Sequence, residues 1–377
     1  MLKKHIRQKG VHLLLFLITL VGTTYAGVEW TWGKYLLLTG VTWNEFTQGL
    51  YFSLPFLGIL TCHEFGHYFT AKYYRLKVTL PYYIPFWFFG VMPSIGTMGA
   101  YIQIKSPLKS RKEFFDVGAA GPLAGFVVML GVLYYAFTHL PEASYVFQIH
   151  PHYAKFGMEY EKYVYEGMRE GENLRMGTNL LFELCKMYLV DDPSKIPNDH
   201  EIFHYPFLLA SYLACFFTSL NLLPIGQLDG GHILYGLIGY RKHKFVSAFL
   251  FIGFIFLGGL GIFSIEDFQH DFQNNLWTGL IYLLFLVFVF DKITSNKRNV
   301  LLLALLVFLT QLLTKAIFPQ VEGFYGWLVF GFLLGRVLGI YHPPALEDKP
   351  LDVKRKVIGW ISLIVFILCF SPVPFIV

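Results

Sequence analysis

Nine long apolar runs constrain this chain more than any other feature. They fall at about 11–28, 45–70, 114–138, 206–229, 245–263, 276–291, 299–317, 324–341 and 357–377. Each approaches the ~20 residues a helix needs to cross the hydrocarbon of a bilayer. The run at 276–291 is the shortest. Composition points the same way, with 55% apolar and 15% charged residues, against roughly 45–50% and about 25% in soluble globular chains. A disordered tail, a collagen-like chain and a disulfide scaffold are excluded, and a soluble two-domain enzyme is disfavoured. Cys62, Cys185, Cys215 and Cys369 form no CxxC pair. They indicate neither a disulfide framework nor a cysteine zinc site.

The net charge of +5 is distributed as topology. With the N-terminus inside, 21 of the 30 Lys and Arg fall in inner segments and 7 in outer ones. That is the positive-inside pattern rather than a nucleic-acid footprint. The other two, Lys315 and Arg336, are expected to snorkel to opposite interfaces. Lys3, Lys4, Arg7 and Lys9 precede an apolar run that passes Thr24-Tyr25-Ala26. Its end resembles a secretory cleavage site, but the run continues toward Trp30, so an uncleaved anchor is expected. Two connections are long, an inner one at 71–113 and an outer one at 139–205. No internal repeat or low-complexity tract is evident. Three regions follow: an anchor and outer loop at 1–44, a core at 45–240, and C-terminal spans at 241–377.

Chemistry concentrates at two span ends. The second run closes on His63-Glu64-Phe65-Gly66-His67. Two His at i and i+4 share a helix face and come within reach of one zinc ion. Glu64 is then placed to take a proton from a water that the metal activates. Packed core histidines are the competing reading, and they are costly inside an apolar span. The fourth run closes on Asn221-Leu222-Leu223-Pro224-Ile225-Gly226-Gln227-Leu228-Asp229-Gly230. Pro224 and the glycines loosen the helix, so Asp229 can turn sideways as a third ligand. The plainer reading of Asp229 is a cap on an inner-side helix.

Together these motifs resemble the site-2 protease family of intramembrane zinc metalloproteases. His63-Glu64-x-x-His67, Ala120-Gly121-Pro122-Leu123-Ala124-Gly125 and Asn221-x-x-Pro224-x-x-x-x-Asp229-Gly230 carry the resemblance, which covers about residues 45–240. It implies His63, His67 and Asp229 as Zn²⁺ ligands, Glu64 as general base and Asn221 as a substrate-contacting group. Gly121 and Gly125 are also explained by close helix packing alone. Val78–Pro85 and Thr97–Ile104 are β-prone. They look like the family's membrane-dipping hairpin, whose edge could pair with an extended substrate; an interfacial loop is the alternative. No PDZ or nucleotide-sensing domain is recognisable.

A second string, His200-Glu201-Ile202-Phe203-His204, lies outside with Glu266 and His270 and mimics another class of membrane zinc protease. Pro206 follows closely and disfavours helix at residue 205, so the i, i+4 geometry is not guaranteed there. His150-Pro151-His152 is weaker still, and His232 could either orient the main site or cap a helix.

The expected protein is therefore an all-α polytopic membrane protein of about nine transmembrane helices with a small hairpin on the inner side. Its expected activity is zinc endopeptidase cleavage of a membrane-anchored protein, in regulated intramembrane proteolysis. Its partners are that substrate and the lipid bilayer, with no nucleic acid. Its expected place is a prokaryotic inner (plasma) membrane. The competing functions are a zinc-binding scaffold or chaperone, an outer-face protease using His200 and His204, and a transporter. Glu64 argues against the scaffold, which needs no base, and no paired charges in the later spans suggest a solute path.

Overall fold

The computed structural model describes residues 2–166 and 174–376. Two long helices, α1 (Leu2–Trp32) and α2 (Trp43–Tyr73), lie against each other. The start of α2 is written in its sequence. The Thr42 hydroxyl accepts from the Glu45 N–H at 3.3 Å while the Glu45 carboxylate accepts from the Thr42 N–H at 2.9 Å. This reciprocal pair satisfies two donors that a helix end otherwise leaves open.

A hairpin follows, β1 (Tyr82–Phe86) antiparallel to β2 (Gly96–Tyr101), with Tyr82 opposite Tyr101 and Phe86 opposite Gly96. It overlaps the predicted β-prone stretches, each strand passing one by a single residue, and packs on α1. Glu29, 3% exposed, accepts from Trp87 Nε1 at 2.7 Å and from the Ser94 N–H at 3.3 Å. An acid just past the first apolar run thus anchors the hairpin loop. On the other side the hydroxyls of Tyr83 and Thr61 meet at 2.7 Å, which ties β1 to α2.

Helix α3 (Arg111–Thr138) opens with its own capping pair, Ser110 and Glu113, and packs along α2. The connection after α3 carries the short helices α4 (Val146–Ile149) and α5 (Glu161–Val164), then α6 (Leu180–Leu189). A second strand pair, β3 (Arg175–Met176) with β4 (Phe375–Ile376), joins this loop to the C-terminal segment. The sequence gives no sign of it, because two-residue strands carry no period.

The later helices are α7 (Pro206–Leu222), α8 (Asp229–Gly258), α9 (Ile265–His270), α10 (Phe272–Phe290), α11 (Lys297–Ile317), α12 (Gly326–Leu333) and α13 (Val353–Cys369). One buried core joins α2, α3 and α7 through Phe56, Met129 and Tyr212. Another joins α8, α10, α11 and α12 through Phe251, Val289, Ala304 and Trp327. Helix α13 returns to the first core, where Arg355 makes a two-pronged ion pair with Asp116 of α3 at 2.7 and 2.8 Å.

Two expectations change here. Among the described residues four helices, not nine, are long and apolar enough to cross a membrane: Lys9–Trp32, Arg111–Thr138, Phe272–Phe290 and Lys297–Ile317. Helices do stand in the other runs. Pro206–Leu222 and Gly326–Leu338 are shorter, α13 has 17 residues, and α8 is interrupted at Gly239 beside Arg241, Lys242 and Lys244. Helix α2 has the length, but the polar residues it carries lower its hydropathy. Second, Arg336 does not simply snorkel. It pairs with Asp291 at 3.2 Å and lies over the Phe288 ring.

Candidate metal centre

The site is assembled from α2, α3, the start of α8 and β2. One turn of α2 presents His63 and His67 with their Nε2 atoms 3.1 Å apart. Asp229 Oδ2 lies 3.5 Å from His63 Nε2 and 3.2 Å from His67 Nε2. His67 Nδ1 donates to the Val117 carbonyl of α3 at 2.7 Å. That bond places the proton on Nδ1 and leaves a lone pair on Nε2, as metal-binding imidazoles require. Two imidazole nitrogens and a carboxylate oxygen thus converge on one point, and this donor set suits zinc. His63, Glu64 and His67 are 6%, 5% and 7% exposed. Such burial in an apolar bundle is expensive for groups with nothing to bind.

Asp229 reaches the site by a route that differs from the expected one. Helix α7 stops at Leu222, seven residues short of it, and Asp229 is the first residue of the next helix. Between them the chain reverses. Pro224 cannot continue a ladder, and Gly226 takes φ +61°, a conformation that side chains disfavour. The Gly226 N–H donates to Ser247 Oγ at 3.0 Å, which pins the reversal. A carboxylate at a helix N-terminus also faces the positive end of the helix dipole.

Glu64 stands beside the ligand atoms without joining them. Its Oε1 lies 4.0 Å from His63 Nε2, and Ile102 lines the same cavity. A cavity of about 310 Å³ opens over this point, lined by His63, Glu64, Asp229, Asn221, Gly99 and Tyr101 among others. Asn221, half-buried at the end of α7, therefore faces the same space as the metal-binding triad. Strand β2 crosses the cavity. Its sheet has two strands, so β1 occupies one edge and, among the described residues, no strand occupies the other.

The small-residue segment of α3 has a role at the site itself. A Cβ built on Gly121 would collide with the His67 imidazole, and one on Gly125 would come 3.1 Å from His63 Cβ. The expected helix packing is present, and the surface packed against is the pair of histidines. His232 also lines the cavity and meets His342 at 2.7 Å, whose ring stacks on Tyr235. His342 escaped the sequence reading because it stands alone in a loop 110 residues from its partner.

The outer string does not form the site its spacing suggests. Residues Ile202–His204 make a single 3₁₀ turn after a non-helical stretch, as Pro206 foretold. His200 stacks on Tyr165 and holds Asn198, away from His204. His150, Glu201 and His204 converge instead. The outer-face protease built on His200 and His204 is therefore not supported.

Residues 51–260 match the sequence pattern of peptidase family M50, a stretch that includes His63, Glu64, His67, Asn221 and Asp229. The chain belongs to peptidase family M50, as its resemblance to the site-2 proteases implied. It is 25% identical over 278 residues to "probable zinc metalloprotease EGY2, chloroplastic" of Oryza sativa subsp. indica, covering 72% of this chain and 43% of the relative. It is 28% identical over 210 residues to "probable zinc metalloprotease EGY1, chloroplastic" of Arabidopsis thaliana, covering 54% of this chain and 32% of the relative. The chain thus spans less than half the length of these relatives. Their names place them in chloroplasts, so the expected prokaryotic inner membrane finds no support among them. No solved structure matches the chain.

Proposed function

We propose that this chain is a membrane-embedded zinc endopeptidase that cuts the membrane segment of an anchored protein. The observation that carries this is the convergence of His63 Nε2, His67 Nε2 and Asp229 Oδ2, with a fourth group, Glu64, held beside them and not among them. A structural zinc site has no use for a neighbouring, buried, non-ligating carboxylate, which argues against the scaffold reading. His63, His67 and Asp229 are the proposed ligands. Bound zinc supplies Lewis acidity, which lowers the pKa of water toward about 7 and polarises a peptide carbonyl.

Glu64 Oε1 takes the proton of the attacking water and delivers it to the leaving amine nitrogen. Asn221 supplies a polar contact to the substrate backbone across the cavity. The substrate helix must unwind first, because its own hydrogen bonds shield each peptide bond. The open edge of β2 then offers backbone partners to the extended strand that results. Regulated intramembrane proteolysis, with the basic segments on one side of the membrane, is the setting that best suits this chemistry. Residues 45–240 form the proteolytic core, with 1–44 as anchor and 241–377 as further spans.

The deciding experiment is Glu64→Gln in the purified chain. The substitution keeps size and all three ligands, so zinc stays bound while cleavage of a single-pass substrate falls by roughly 10²–10⁴-fold. Unchanged turnover would remove Glu64 from the mechanism.

A further inference from the structure

We propose a second zinc site, on the outer face, formed by His150, Glu201 and His204. Its geometry repeats that of the inner triad. His150 Nε2 and His204 Nε2 are 3.1 Å apart. Glu201 Oε2 lies 3.6 Å from each of them. The inner site shows two Nε2 atoms at 3.1 Å and a carboxylate oxygen at 3.2 and 3.5 Å. His204 Nδ1 donates to the Thr31 carbonyl at 2.8 Å, which leaves the Nε2 lone pair aimed at the other two groups.

Glu201 makes the independent case. It is 2% exposed, and its Oε2 has no hydrogen-bond partner. A buried carboxylate oxygen without a donor is costly. The other oxygen, Oε1, accepts from the Tyr165 hydroxyl, so the carboxylate is oriented with its open oxygen toward the two imidazoles. A divalent cation at the meeting point would satisfy that oxygen and both lone pairs at once. Two imidazoles and one carboxylate form a set that zinc accepts with a fourth position left for water.

The role is structural. In an HExxH protease the Glu would be the base; here Glu201 is a ligand, and His200 is turned away onto Tyr165. The three ligands come from the end of α4 and the turn before α7, and His204 also holds the last turn of α1 through Thr31. Zinc would thus fasten the outer loop to the outer end of the bundle, beside the cavity lined by Thr31, Tyr145 and Tyr205.

Metal analysis of the purified full chain, loaded with zinc and freed of excess, tests this independently of the inner site. The wild type should hold two zinc ions per chain. His150→Ala, at a side chain 28% exposed and least able to disturb the fold, should hold one and keep its proteolytic activity. His63→Ala/His67→Ala should also hold one, and adding His150→Ala to that pair should remove it. Cobalt(II) loaded into His63→Ala/His67→Ala should give a ligand-field absorption that Glu201→Gln abolishes. A wild type with one zinc that disappears in His63→Ala/His67→Ala would overturn the outer site. So would zinc content unchanged by His150→Ala, or a cobalt spectrum without a ligand-field band. Zinc lost on His150→Ala but fully kept in His63→Ala/His67→Ala would uphold the outer site and defeat the inner ligand assignment instead.

Discussion

Asn221, as the proposed substrate contact, would separate binding from chemistry at the level of single residues. It faces the cavity and stands outside the proposed ligand set, so Asn221→Ala should leave zinc content unchanged. One neutral hydrogen bond contributes about 0.5–1.5 kcal/mol, so kcat/KM should fall roughly 2- to 12-fold. Zinc loss in that variant, by metal analysis, would show that Asn221 holds the fold of the site and not the substrate. Asp229→Asn should act differently. It keeps shape but removes the charge from one of three donors, so zinc should dissociate at chelator concentrations that the wild type resists. The pair His63 and His67 is legible in sequence because one helical turn brings i and i+4 together. Asp229 is legible as a residue, but its placement depends on the reversal at Gly226, which motif spacing does not describe. His150 and Glu201 are 51 positions apart in the chain, and no local period could pair them.

The elements explain why the histidines stay in place. Helix α3 lies so close to α2 that Gly121 touches the His67 ring, which a side chain would displace. Gly121→Ala should therefore lower zinc affinity and activity together. Gly131, on the same helix, has open space where a Cβ would stand. Gly131→Ala should leave both unchanged and add about 0.5–1 kcal/mol of helix stability. Thermal unfolding with metal analysis of the two variants separates these effects; equal behaviour would mean that α3 is a plain packing helix. Both capping pairs, Thr42 with Glu45 and Ser110 with Glu113, could be read in advance because they are local. The apolar runs located helices correctly, but among the described residues only four of the nine hold a helix long and apolar enough to cross. Apolarity measures solvent preference, while the break at Gly239 and the stop at Leu222 are backbone events.

For the whole molecule, the positions of basic residues and of the proposed metal ligands combine into one expectation. His67 lies five residues before Lys72, which is exposed near the end of α2. At 1.5 Å per residue the ligands then sit on the order of 10 Å beneath the basic surface. Asp229 arrives from the same side, ahead of Arg241, Lys242 and Lys244. Water should therefore enter past the 71–113 segment, and the cut should fall in the leaflet half nearest the basic loops. The most direct test reconstitutes the full chain with a single-pass substrate in vesicles and maps the cut by mass spectrometry. The expected result is a cut within the membrane segment, in the half facing the basic loops, present with zinc and absent in Glu64→Gln. A cut outside the membrane segment or in the opposite half, or one that persists in Glu64→Gln, would contradict a proteolytic centre built on His63, Glu64, His67 and Asp229.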